Sequence, residues 1–275
     1  MRGLIAASPV PEDNIARRGD DGDPAPGLPA EIGELVGRLS GDEEMDRETR
    51  GRLLGRLVRL LTVSARRAGT GGLASGRWLA DIVTEVAPHV PVRDLETLRR
   101  HHHGLQGEQL ADSLVRAASL STAGVGAAGG ALAAVEFAAP PLLLTLPAQL
   151  VAETVVVAAV EVKLIAELHE VYGIQVQGTG TQRALVFLQS WVKRRGVDPL
   201  KPGSATLALG FAARQALRRR LLRTLGRHLS TLGPFLTGAV AGGALNRTAT
   251  RRLAGEIRAD LRRVLGASPP RSALD

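Results

Sequence analysis

Apolar residues recur along this chain at spacings of three and four, and no segment alternates convincingly with a period of two. Helices are therefore the expected elements throughout. Residues 29–39 place Ile32, Leu35, Val36 and Leu39 on one stripe after Pro29. Residues 46–68 predict a longer helix, with Leu53, Leu57, Leu60, Leu61 and Ser64 inward and Arg52, Arg56, Arg59 and Arg66 outward, ended by Gly69 to Gly72. Residues 75–87 follow, capped by Ser75, with Trp78, Leu79, Ile82, Val83 and Val86 inward, and Pro88 and Pro91 break them. A short helix over 93–100 runs into a polar loop at His101-His102-His103.

From residue 107 the pattern changes. Leu110, Leu114, Val115 and Ala118 begin an amphipathic helix, but Ala117 to Val135 are 19 consecutive residues without a charge. After Glu136, Phe137 to Ala152 add 16 more. Pro140-Pro141 turn the chain, Thr145 caps a new helix with Pro147 in its first turn, and Gly173 stops it after Tyr172. The β-branched run Thr154 to Val160 sits inside this helical pattern. The expected result is an apolar helical hairpin. Helices over 180–195 (Leu185, Leu188 and Val192 inward), 204–230 and 235–265 complete the set. The fold class is all-α, a multi-helix bundle built around the Gly/Ala-rich hairpin. Residues 1–28, rich in proline and charge, read as a disordered arm. Residues 29–104 form an N-terminal helical region, 105–266 the main helical domain, and 267–275 a tail.

Composition narrows the chemistry. The chain of 275 residues has no cysteine, so disulfides, thiolate metal sites and cysteine nucleophiles are excluded. Arginine outnumbers lysine 32 to 3, the skew of high-GC coding, so an arginine is a weak sign of recognition here. The net charge of +8 is uneven: residues 1–50 carry six arginines against twelve acids, and residues 201–275 carry fourteen bases against three acids, net +11. An acidic head and a basic tail imply two different surfaces. No secretory h-region follows the N-terminus, so the expected place is the cytoplasm or the cytoplasmic face of a membrane, not outside the cell.

Motif searches find no phosphate-binding loop, dinucleotide fingerprint or nucleophile elbow. His169-Glu170-Val171-Tyr172-Gly173 opens like a zinc-protease motif, but a glycine stands where the second histidine is needed. Glu153, Glu161 and His169 spread too widely around one helix to share a ligand. Catalytic residues, cofactor and metal are all expected to be absent. Two small-residue steps remain: Gly126 to Gly130 and Gly238 to Gly242 each put glycines at i and i+4, a flat groove for another backbone. They serve tight packing in a soluble bundle, homo-oligomerisation, or association in a membrane. The hairpin itself is either a bundle centre or lipid-facing, though Glu153, Glu161 and Lys163 shorten its usable apolar length for a span. Arg214, Arg218, Arg219, Arg220, Arg223 and Arg227 oppose a leucine stripe, and Arg251, Arg252, Arg258, Arg262 and Arg263 repeat the theme. They read as a solvated face or as a docking face for anionic lipid or a membrane protein; nucleic acid is disfavoured for want of interleaved aromatics.

The order of these signals resembles the EcsC family of bacterial proteins. The glycines 126, 129 and 130 match its first apolar helix and Pro147 its second, which closes on Ala166, Tyr172 and Gly173. Pro234, Gly238, Gly242 and Asn246 match its last element. Gln175 and Thr145 stand where the family often has acids. The resemblance, over about residues 107–265, implies close helix packing at these positions and a membrane-associated, accessory helical protein. It implies no reaction.

Overall fold

The computed structural model describes residues 27–74, 77–138, 146–178, 180–194 and 234–267, and every regular element among them is helical. The expected arm up to residue 26, the proline turn at 140–141, the basic helix over 204–230 and the tail after 267 lie outside the described residues.

The elements form where local chemistry starts and stops them. Helix α1 (Leu28–Gly41) has proline in its first turn and buries Ile32, Leu35, Val36 and Leu39. Helix α2 (Arg47–Ala74) begins where the Asp46 carboxylate accepts the Thr49 amide at 2.9 Å. Its buried stripe is Leu54, Leu57, Val58 and Leu61, so the expected inward set is turned by one position: Leu53 and Leu60 are only half-buried. Two leucines side by side at 53–54 and 60–61 make both stripes equally plausible by periodicity, and packing against α1 and α6 decides. Gly69, at φ +66°, kinks α2 where the glycine run was expected to end it, but the helix resumes to Ala74. Helix α3 (Arg77–Val86) buries Trp78, Ile82 and Val86, and a single 3-10 turn follows at Ala87–His89. Helix α4 (Leu95–His101) is capped by Asp94, which accepts the Thr97 amide at 2.7 Å.

Helix α5 (Gly107–Ala138) and helix α6 (Leu146–Val171) are the two arms of the hairpin. Gly173, at φ +66°, ends the second arm, and the Ile174 amide reaches back to His169 O at 3.0 Å. Every residue from Ala159 to Leu168 is buried, so α6 is the central helix of the bundle rather than a surface for lipid. No helix among the described residues is long and apolar enough to cross a membrane. Helix α7 (Gly180–Arg194) turns Phe187, Leu188 and Trp191 toward α6. Helix α8 (Pro234–Ala267), about 50 Å long at 1.5 Å per residue, lies antiparallel along α5.

Two apolar clusters result, and α5 and α6 belong to both. One joins α1, α2 and α3 to the first half of α6. The other joins α4, α7, α8 and the second half of α6. The α2 stripe gives a direct test. Leu54→Ala should cost roughly 2–5 kcal/mol in denaturant unfolding, as for other fully buried leucines, and Leu53→Ala should cost clearly less. Equal losses would mean that α2 packs through the other stripe.

Candidate functional site

At the α5–α8 crossing two helix backbones meet at glycines. A Cβ on Gly126 would lie 2.5 Å from Gly242 O and 2.7 Å from Asn246 Nδ2, and a Cβ on Gly242 would strike Gly126 O in turn. Only hydrogen atoms fit there. Asn246 Nδ2 donates to Thr122 O at 3.1 Å, which ties the two backbones beside the notch. Gly130 is buried one turn further along α5, and Gly238 lies one turn before Gly242 on α8.

A buried chain of hydrogen bonds starts at this crossing. Thr250 Oγ1 donates to Glu161 Oε1 at 2.9 Å, so in its 2.9 Å pair with Thr122 Oγ1 it accepts. Trp191 Nε1 donates to Glu161 Oε2 at 2.6 Å. Glu161, fully buried, thus gathers α5, α6, α7 and α8. A second glycine notch faces α6: a Cβ on Gly129 would collide with the Glu153 carboxylate, while Gln149 Nε2 donates to Gly129 O at 2.6 Å and to Glu153 Oε1 at 3.0 Å.

Between the two apolar clusters sits a bracket of four charges. Lys163 Nζ bonds Glu43 at 2.9 Å and Glu167 at 3.1 Å. Arg93 bonds Glu167 at 2.8 Å and also grips Glu43. Burial alone would raise the Glu43 carboxyl, but Lys163 and Arg93 outweigh it and hold the group below its ordinary range. Each carboxylate takes both cations, so the bracket is saturated and joins the α1–α2 turn and the segment before α4 to α6. Beside it, with Ser40, Ser121 and Leu164 in its wall, is a cavity on the order of a single water. Arg50, also buried, reaches Ser121 Oγ at 3.2 Å and the carbonyls of Met45 and Asp42. His102 pairs with Ser113 through Nδ1 at 2.9 Å, and burial lowers its pKa.

At the far end of α8 a third cluster is open to water. Glu108 accepts Tyr172 Oη at 2.9 Å and is held by both Arg258 and Arg262, while Arg258 also bonds Asp112 at 2.6 Å. The hydrogen bond from Arg262 leads the effects that pull the Glu108 pKa down to about 2. Burial opposes the Arg258 charge, yet Glu108, Tyr172 and Asp112 raise its pKa.

Of the expected docking arginines, Arg258 and Arg262 are thus committed inside the fold. Charge periodicity could not reveal this, because their acids lie about 150 residues away. Arg251, Arg252 and Arg263 do point outward, whereas Arg214, Arg218, Arg219, Arg220, Arg223 and Arg227 lie outside the described residues. Trp78 and Trp191 are bound inward, Trp78 through Ser64 Oγ at 3.0 Å. His169 bonds its own helix at Ile165 O and packs its ring against Phe187. Among the described residues no three His, Asp or Glu side chains gather to hold a metal ion. The bracket escaped notice in the sequence, although Lys163 and Glu167, i and i+4 within an otherwise apolar run, are a visible sign of a buried pair.

Two measurements check these contacts. Gly126→Ala should lower stability by about 1–3 kcal/mol through overpacking, although alanine is the better helix former, whereas Gly51→Ala, with open space around its Cβ, should raise it by up to about 1 kcal/mol. Glu108 has its folded pKa depressed from 4.5 to about 2, so its stabilising effect is present above the unfolded value and fades as pH falls through that window. Glu108→Gln should therefore flatten the Tm-against-pH curve between about pH 4.5 and 2; an unchanged acid limb would show the cluster to be idle. No family model matches this chain, and no curated protein or solved structure matches it either.

Proposed function

We propose that this chain is a non-enzymatic accessory protein that associates peripherally with an anionic membrane surface, in keeping with its resemblance to the EcsC family. The observation that carries the reading is the layout of charge. Residues 201–275 hold fourteen bases against three acids, and on α8 the arginines that the fold does not consume face outward. An arginine-rich surface is drawn to anionic lipid, which in cells is concentrated on the cytoplasmic leaflet. Each buried cluster has the look of a structural tie: its charges are satisfied by partners within the fold.

The hairpin's part in this reading changes once its packing is known. Its notches at Gly126 and Gly129 are filled by Gly242 and Glu153, and α6 is the centre of the bundle. Docking therefore falls to the basic outer surface, with the hairpin as the rigid frame behind it. A homo-oligomer joined through the glycine grooves has less support, since each groove already has its occupant within the chain.

Flotation of the purified chain with phosphatidylglycerol-containing vesicles, against pure phosphatidylcholine vesicles, tests the proposal. Binding is expected to the anionic vesicles at low salt and to fall steeply toward 1 M salt, where the screening length shrinks to about 3 Å. A chain that ignores anionic vesicles at low salt would refute it.

A further inference from the structure

We infer that the outer face of α8 is the element that meets the lipid, and that it does so in two parts, an apolar contact from its first half and an arginine contact from its second. The inference rests on the peripheral-membrane reading above and adds the surface that performs it.

At about 100° per residue, the buried positions of α8, from Gly242 and Gly243 through Asn246, Thr250, Leu253, Ala254 and Ile257 to Leu261, fall on one arc against α5 and α6. The opposite arc is exposed from Val240 to Gly266. Its first half presents Val240, which is 68% exposed, Ala241, Ala244 and Leu245, followed by Thr248. Its second half carries Arg251, Arg252 and Arg263. Arg252 and Arg263 keep 84% and 76% of their side-chain surface in water, and their bonds to Glu256 and Asp260 are neighbouring-turn pairs that an anionic surface can replace. Leu120, one turn along α5 from the Ala123 that meets Gly243, adds an exposed apolar side chain, and Arg116 is exposed one turn beyond.

A fully solvated arginine face would gain nothing from Val240 and Leu245 beside it. Exposed aliphatic side chains continuous with unshielded arginines on one convex arc match the interface of an anionic bilayer, where the apolar part enters the headgroup boundary and the guanidinium groups stay with the phosphates. Helix α8 is held on its inner side by the Gly126–Gly242 notch, the Asn246 bond and the Glu108 cluster. The face is therefore presented preformed, and docking requires no unfolding.

The test uses the full chain and vesicles of phosphatidylglycerol with phosphatidylcholine. Val240→Asp with Leu245→Asp should reduce partitioning more than tenfold and abolish whatever binding survives high salt. Arg251→Glu with Arg252→Glu should reduce it by about fivefold or more per arginine at low salt and lower the salt dependence. Val63→Asp, on an exposed position of α2, should bind as the parent does. All four α8 positions are solvent-facing, so unchanged Tm and helical circular dichroism accompany the loss. If the parent binds anionic vesicles and both α8 pairs bind equally well, the face is wrong while peripheral association stands, its contact lying elsewhere. If the parent does not bind at all, both fall together.

Discussion

The fold turns on a place where two side chains are missing. Helices normally meet through their side chains, 8–10 Å apart between axes. At Gly126 and Gly242 there is no Cβ on either side, and the two backbones touch. That contact sets how deep α8 sits against α5, and the depth sets everything polar around it. Asn246 can reach Thr122 O and Thr250 can pair with Thr122 because the helices are this close, and Thr250 passes the chain on to Glu161. Moved apart by one methyl group, the pair would lose the Asn246–Thr122 and Thr250–Thr122 bonds, and a buried polar group without its partner costs more than the bond itself contributes.

The charged bracket does different work. Its two carboxylates and two cations bridge the seam between the apolar cluster under α1–α3 and the one under α7–α8. An ion pair removed from water adds little net stability against an apolar replacement, but losing one member leaves an uncompensated charge. Such a group penalises every register but one. The grip of Glu43 and Arg93 on Lys163 and Glu167 fixes the turn after α1 and the segment before α4 at one height along α6, which the sliding apolar surfaces of alanine and valine would not specify.

Much of the architecture could be read from the chain before its coordinates. Helix existence followed from spacing, and helix ends followed from Pro29 and Gly173, because caps are local chemistry. The glycine pairs announced a close approach somewhere. What the chain could not disclose was the partner: a groove on Gly126 says that something fits, and only the fold says that it is Gly242. On α2, Leu57 and Leu61 face inward as expected, but Leu54 and Val58 are buried more fully than Leu53 and Leu60, because doubled leucines satisfy two faces at once. Arg258 and Arg262 looked like surface charge because Glu108 is remote in sequence. Long-range pairing of charges is a property of the assembled molecule, and neither period nor composition encodes it.

Gln149 and Glu153 also bear on the life of the chain before it is folded. Nascent chargeless runs of 19 and 16 residues resemble cargo for the insertion machinery that threads helices into membranes, and the second of them leads into Glu153. The carboxamide and carboxylate that close over Gly129 in the finished protein would, during synthesis, have to enter hydrocarbon without the Gly129 carbonyl, and a carboxylate there is costly. The same two side chains that seat the second arm of the hairpin thereby make its premature capture by a bilayer unfavourable.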